Sequence, residues 1–219
     1  TVGFSMRLMG FLMVPVTIGV VLLRYPIIGL ILEHGEFTPD DTARTAWALL
    51  FLCLGLYAYA GRDTLTRVFY AYHDTRTPVK ISVFTVALNV ALSYLLMRPL
   101  GVGGLALGTT VALTFNFLVL IWLLRRKVGP MGFGRMFRSL GAVVAVSAVM
   151  GVVVWGIDTL LAGAMATGTF AYGVRVVVGL VVGVLVFVGA ARLVKMPELA
   201  EIIDMLRSVL KRRAARPAG

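Results

Sequence analysis

Residues 174–191, "VRVVVGLVVGVLVFVGAA", carry one charge in a run otherwise built from Val, Leu, Gly, Ala and Phe. Residues 142–156, "AVVAVSAVMGVVVWG", repeat the pattern with no charge at all. Burial in a water-soluble core does not call for such runs, whereas about 20 mostly apolar residues are what a helix needs to cross the hydrocarbon layer of a bilayer. Inside that layer each backbone N–H and C=O must find a partner within the protein, so the runs are predicted to be helices. The alternation of a membrane β-barrel is missing. Apolar residues make up 59% of the 219, above the roughly half that soluble domains use. The fold class expected is all-α, a polytopic helical membrane protein.

Six spans are predicted, at 6–32, 41–72, 78–98, 102–125, 138–161 and 170–193. Pro26 is expected to break or kink the first near Arg24, leaving a short helix that runs out towards Gly35. "TPDD" at 38–41 reads as a helix start, with Thr38 as N-cap, Pro39 in the first turn and two carboxylates on the positive end of the dipole. "TPVK" at 77–80 repeats the device with Thr77 and Pro78, and "RPLGVGG" at 98–104 reads as a tight turn. The first apolar run is too long for a signal-peptide core and has no small-residue cleavage site, so a fragment of a longer protein is expected.

The formal charge of +11 is not spread like a nucleic-acid footprint, and no nucleic-acid motif accompanies it. Basic residues gather just past alternate span ends: Arg76 and Lys80, then Arg125, Arg126, Lys127, Arg135 and Arg138, then the tail. The other loops hold Glu33, Glu36, Asp40 and Asp41, then Arg98, then a nearly neutral segment. The positive-inside bias puts the basic set, and both ends of the chain, in the cytoplasm. From 196 to 219, Leu199, Ile202, Ile203, Leu206, Val209 and Leu210 recur at helical spacing before a basic end, the pattern of an amphipathic helix on the inner leaflet. Cys53 lies alone in an apolar run and implies no disulfide.

Ionisable groups at membrane depth are costly and often functional. From Asp41 to Tyr72 a continuous helix would measure roughly 48 Å against a hydrocarbon layer of about 30 Å, which puts Arg62 and Asp63 near the inner boundary and Arg67 among the headgroups. Asp63 and Arg67, four apart, can pair on one face. They read either as the lining of a cavity for an anionic substrate or as a self-paired cluster at the interface. Asn89 and Ser93 share a face of span three. Across the 98–104 turn, antiparallel packing would bring Thr109 and Thr110 to the depth of Asn89, a cluster that reads as a cation site or as an interhelical hydrogen bond. Gly104 with Gly108, and Gly179 with Gly183, are small-residue faces that allow close packing. No nucleophile elbow, metal-ligand spacing or phosphate-binding glycine loop is present, and His34 and His73 fall in loops on opposite sides.

"EHGEFTPDDT", "RDTLTRVFYAYHDTRTPVK" and "RPLGVGGLALGTT" occur in the order and spacing of the MurJ/MviN family, the lipid II flippases of bacterial cell-wall synthesis, and the chain resembles that family over all six spans. The resemblance implies a fourteen-helix, two-lobed flippase of which this chain holds the last six helices. Residues 1–126 would be four helices of the second lobe, 127–195 the C-terminal pair that forms a groove for the lipid tail, and 196–219 a cytoplasmic tail. It implies lipid II as substrate, membrane lipids and the absent N-terminal lobe as partners, the bacterial inner membrane as location, no enzymatic activity, and alternating access driven by membrane potential or an ion gradient. Arg62, Asp63 and Arg67 match polar positions of the family. Asn89, Ser93 and Thr109 fall where some members hold sodium, with Ser93 a weaker ligand than that site wants. Two readings stand beside it: a flippase of other lipid-linked oligosaccharides or a cation-coupled drug antiporter of the same superfamily, and a non-transporting membrane scaffold.

Overall fold

The computed structural model describes residues 2–128, 133–165 and 168–202. It contains eight helices: α1 (Val2–Leu22), α2 (Arg24–Leu32), α3 (Pro39–Leu54), α4 (Leu56–Ala71), α5 (Arg76–Leu100), α6 (Val102–Val128), α7 (Phe133–Ala164) and α8 (Thr169–Leu193). Five of them are long and apolar enough to cross a membrane, and α3 with α4 supplies a sixth crossing as a pair bent by 42°. No strand occurs among the described residues. The chain is a multi-pass helical membrane protein.

The first predicted span divides where Pro26 requires it. α1 ends at Leu22 and α2 begins at Arg24. There the Arg24 guanidinium donates to the Val21 carbonyl at 2.7 Å, serving an acceptor that the break exposes. α3 starts as its sequence predicts. The Thr38 hydroxyl accepts from the Asp41 N–H, and the Asp41 carboxylate accepts from the Thr38 N–H at 3.1 Å, with Pro39 in the first turn. This is a capping box.

Two local expectations are corrected. The continuous helix predicted from 41 to 72 is interrupted at Gly55, whose N–H turns to the Leu52 carbonyl. The Phe51 carbonyl loses its partner four residues on and accepts instead from the Thr110 hydroxyl of α6 at 2.7 Å. The second correction is the cap of α5. The helix begins at Arg76 rather than after Thr77, and Asp74 is the capping side chain, accepting from the Thr77 N–H at 3.1 Å and the Thr77 hydroxyl at 3.0 Å. A carboxylate three residues upstream is the stronger acceptor and the better match to the dipole. At the start of the tail, Met196 is buried, and Leu199 and Ile202 pack against the protein core, so this part is seated on helices. The rest of the predicted tail helix, residues 203–219, lies outside the described residues.

Two apolar clusters share α1. One joins its start to α4 and α6 through Met6, Leu65, Phe69, Leu120 and Leu124. The other joins its later turns to α7 and α8 through Phe11, Leu23, Val143, Met150, Val154 and Phe187. α5 reaches the first cluster through the partly buried Ile81 and packs mainly on α6 in a hairpin turned at Gly101, where φ is +57°. A Cβ on Gly104 would overlap the Leu96 carbonyl, and one on Gly108 would stand 2.9 Å from the Ser93 backbone nitrogen. The predicted small-residue spacing here is what lets the two backbones meet.

Polar ties fasten both ends of the bundle. At the basic end Lys127 pairs with Asp74 at 2.7 Å, and the Ser139 hydroxyl donates to Glu198 at 2.6 Å. At the opposite end Arg175 makes two parallel bonds of 2.8 Å to Asp158. There the Thr42 hydroxyl also donates to Glu33 at 3.0 Å, and Tyr172 hydrogen-bonds the same carboxylate.

Candidate functional site

α4 buries Ala58, Gly61, Leu65 and Phe69, a stripe at helical spacing. At 100° per residue, Asp63, Arg67 and Tyr70 lie opposite this stripe, Tyr59 and Thr66 on its flank, and Arg62 at its edge. Gly61 makes the close approach possible on the packed side, since a Cβ there would run into the Phe117 ring. The surface of α4 outside the packed stripe holds two guanidinium groups, a carboxylate and two phenols within about three turns, a composition unsuited to lipid.

The expected Asp63–Arg67 pair is not formed. Arg62 instead donates from Nε and Nη2 to Asp63 Oδ1, at 3.2 and 2.8 Å. The cause is Tyr59 on the preceding turn: its ring centroid lies 5.2 Å from the Arg62 guanidinium carbon, which holds the guanidinium beside Asp63. Arg67 is exposed one turn further on. The structure thus gathers Arg62 and Asp63 and leaves Arg67 separate on the same side. Tyr59 and Tyr70 belong to this face and were missed in the sequence. Their positions at 59, 62/63, 66/67 and 70 form a helical polar stripe that a charge census alone does not pick up.

The second candidate set does assemble. Asn89 Oδ1 accepts from the Ser93 hydroxyl at 3.1 Å and from the Thr109 hydroxyl at 3.3 Å. The predicted matching of depth across the α5–α6 turn is therefore met. Thr110 faces the other way, into the α3–α4 break. A deeper polar contact of the same hairpin was not predicted: Asn116 Nδ2 donates to the Thr85 hydroxyl at 2.7 Å, and Asn116 is almost wholly buried. Among the described residues no group of three or more His, Cys, Asp or Glu side chains could hold a metal.

An apolar groove of about 260 Å³ runs between α1 and α8 over the α7 side chains Met150 and Val154. Pro15 and Gly19 on one wall and Gly179 and Gly183 on the other keep it open, and Phe11 and Phe187, 5.0 Å apart between ring centroids, also line it. Just past α4, outside the spans, Asp74 is held below its ordinary value of 3.8, first by the hydrogen bond from Lys127 and then by the Thr77 N–H.

The family model described as "Lipid II flippase MurJ" matches residues 1–176. A protein of Synechocystis named "Probable lipid II flippase MurJ" is 33% identical over 210 residues, covering 91% of this chain and 38% of that protein. One of the same name from Rickettsia prowazekii is 41% identical over 112 residues, covering 51% of this chain and 22% of its own. A solved structure titled "Lipid II flippase MurJ, inward closed conformation" superposes with a TM-score of 0.70 at 24% identity over 87% of this chain and 38% of that one, a likeness of fold. The chain spans 38% of the length of the Synechocystis relative. With the family model covering most of its length, the chain belongs to the lipid II flippase MurJ family.

Proposed function

We propose that this chain is the C-terminal part of a transporter that moves lipid II, the lipid-linked peptidoglycan precursor, across the bacterial cytoplasmic membrane by alternating access. The observation that carries the reading is the charged and phenolic surface of α4 outside its packed stripe. A transmembrane helix tolerates such a side where it borders a polar cavity, and an anionic pyrophosphate headgroup suits Arg62 and Arg67 there. Residues 1–126 then act as four helices of the second lobe and 127–195 as the pair whose groove takes the polyprenyl tail. The carbon lining of the groove between α1 and α8 fits an isoprenoid chain, and α1 makes one wall of it. The positive-inside bias orients the basic end, with Lys127 and Arg126, towards the cytoplasm.

Asn89, Ser93 and Thr109 fit a resident sodium ion poorly. The Ser93 hydroxyl donates to Asn89 Oδ1, the Thr109 hydroxyl is shared between Asn89 Oδ1 and the Leu105 carbonyl, and the set holds no carboxylate, the ligand a hard cation favours. The cluster is read as an interhelical hydrogen-bond tie. Sodium-independent transport by the full-length protein supports that reading, and a steep sodium requirement abolished by Asn89→Ala overturns it.

The proposal is tested by complementation. The full-length protein should restore growth to bacteria depleted of their own lipid II flippase, and Arg62→Glu, expressed at equal level, should weaken that rescue. Equal rescue by Arg62→Glu removes the cavity-lining role of α4.

A further inference from the structure

Glu198 is a carboxylate with 2% of its surface exposed, beyond the end of α8 and unused by the transport reading. The chain arrives there through a forced reversal. Lys195 takes φ +53°, a conformation costly for a residue with a Cβ. The Lys195 and Met196 N–H groups close back on the Arg192 and Ala191 carbonyls at 3.0 Å, a helix-ending motif in which glycine is usual. The reversal aims Glu198 between α7 and α1. There the Ser139 hydroxyl donates to Oε1 at 2.6 Å, and Arg7 Nη1 stands 3.9 Å from the same oxygen. A buried carboxylate is tolerated only with such partners, and they come from two helices that have no other polar tie to this segment among the contacts described.

What the reversal places beneath the bundle is apolar. Met196 is buried in the cluster that contains Phe11 and Phe187, and Leu199 and Ile202 pack against it. Phe11 and Phe187 also line the groove between α1 and α8. We infer that Glu198 is a positioning residue: by docking on Ser139 and Arg7 it holds residues 195–202 as a clasp that backs the Phe11–Phe187 pair and closes the groove at its basic end. The clasp keeps a chain lying in the groove from opening a path to the basic face, a role that rests on the groove being the tail channel.

The test uses the full-length protein in membranes, with Cys53→Ala as background and a single probe cysteine at Val188, which lines the groove. A membrane-impermeant maleimide is added from the basic side. Labelling should be slow in the parent. Stranding the Ser139 hydroxyl and removing the carboxylate by Glu198→Ala should speed it by about tenfold, the factor that corresponds to losing one buried charge-assisted partner. Ser139→Ala should give a smaller increase in the same direction, and it serves as the variant if Glu198→Ala fails to accumulate. A spin label at the exposed Ala200 should sharpen in both. A freed label at Ala200 with unchanged Val188 labelling overturns the closure, and an unchanged label at Ala200 overturns Glu198 as its anchor. Faster labelling in a protein that retains no isoprenoid lipid upholds the clasp and sinks the tail-channel reading alone.

Discussion

Thr110→Val removes one hydroxyl and almost no volume, and it bears directly on the bend that aims α4. Thr110 is 7% exposed and supplies the bond of 2.7 Å to a Phe51 carbonyl whose helical partner has turned away at Gly55. An average interhelical hydrogen bond in a membrane contributes only about 0.6 kcal/mol. Here the Gly55 N–H that would serve this acceptor has turned to Leu52, so the cost rises towards that of a stranded buried group, about 1–2 kcal/mol. This corresponds to a five- to thirtyfold change in the folded ratio. Equilibrium unfolding of the full-length protein in mixed micelles measures it, with Thr17→Val as control. The Thr17 hydroxyl bonds the Met13 carbonyl of its own helix at 2.8 Å, where the backbone ladder is already made, so its loss should stay within about 0.5 kcal/mol. If Thr110→Val costs no more than Thr17→Val, Thr110 does not hold the bend. A real cost should also appear in complementation, because the polar side of α4 is aimed by that bend.

Asp74→Asn should weaken the protein at neutral pH by loosening both the α5 cap and the Lys127 tie. Because the folded-state pKa of Asp74 is lowered from 3.8, its contribution is fully present above that value and is lost as pH falls through the lower, folded value. The stability difference between the variant and the parent should therefore stay level down to about pH 4 and close only below it; a difference that closes near pH 6 refutes the assignment. Gly104→Val should separate α5 from α6, since even a Cβ overlaps the Leu96 carbonyl, at a cost of roughly 1–3 kcal/mol read by the same unfolding assay. Asp158→Asn leaves Arg175, 15% exposed, with half of a paired geometry, and should cost about 1–3 kcal/mol; no measurable change would show the pair to be ornamental.

The features that were legible in the sequence are those whose cause is local. The Thr38 capping box needs only residues 38–41, and the break before Pro26 needs only the missing N–H of proline. The meeting of Asn89 with Thr109 was readable because Asn89 lies eight residues before Met97 and Thr110 eight after Val102, so the short turn brings that part of α6 to the depth of Asn89. Where a distant partner decides, the sequence is silent. Gly55 in an apolar run gives no sign of a break, since the rescue of Phe51 comes from Thr110, 59 positions on. The Asp63–Arg67 expectation failed for a local reason, the Tyr59 ring that seats Arg62. Glu198 is, in the sequence, one acidic residue in a polar and apolar tail. Its burial depends on Ser139 and Arg7, which no periodicity connects.

The sharing of α1 between two clusters also has a consequence for biogenesis. Its early turns meet α4 and α6, and its later turns meet α7 and α8, with Phe11 closing against Phe187 at 5.0 Å. Partners such as Val143 emerge from the ribosome more than a hundred positions after Phe11, a wait of roughly 6–25 s at ordinary elongation rates. The α5–α6 hairpin, in contrast, closes on itself as soon as it is made. During that wait Phe11, Ile18 and Leu23 are without their partners on α7 and α8, so α1 depends on substitute contacts for longer than the hairpin does.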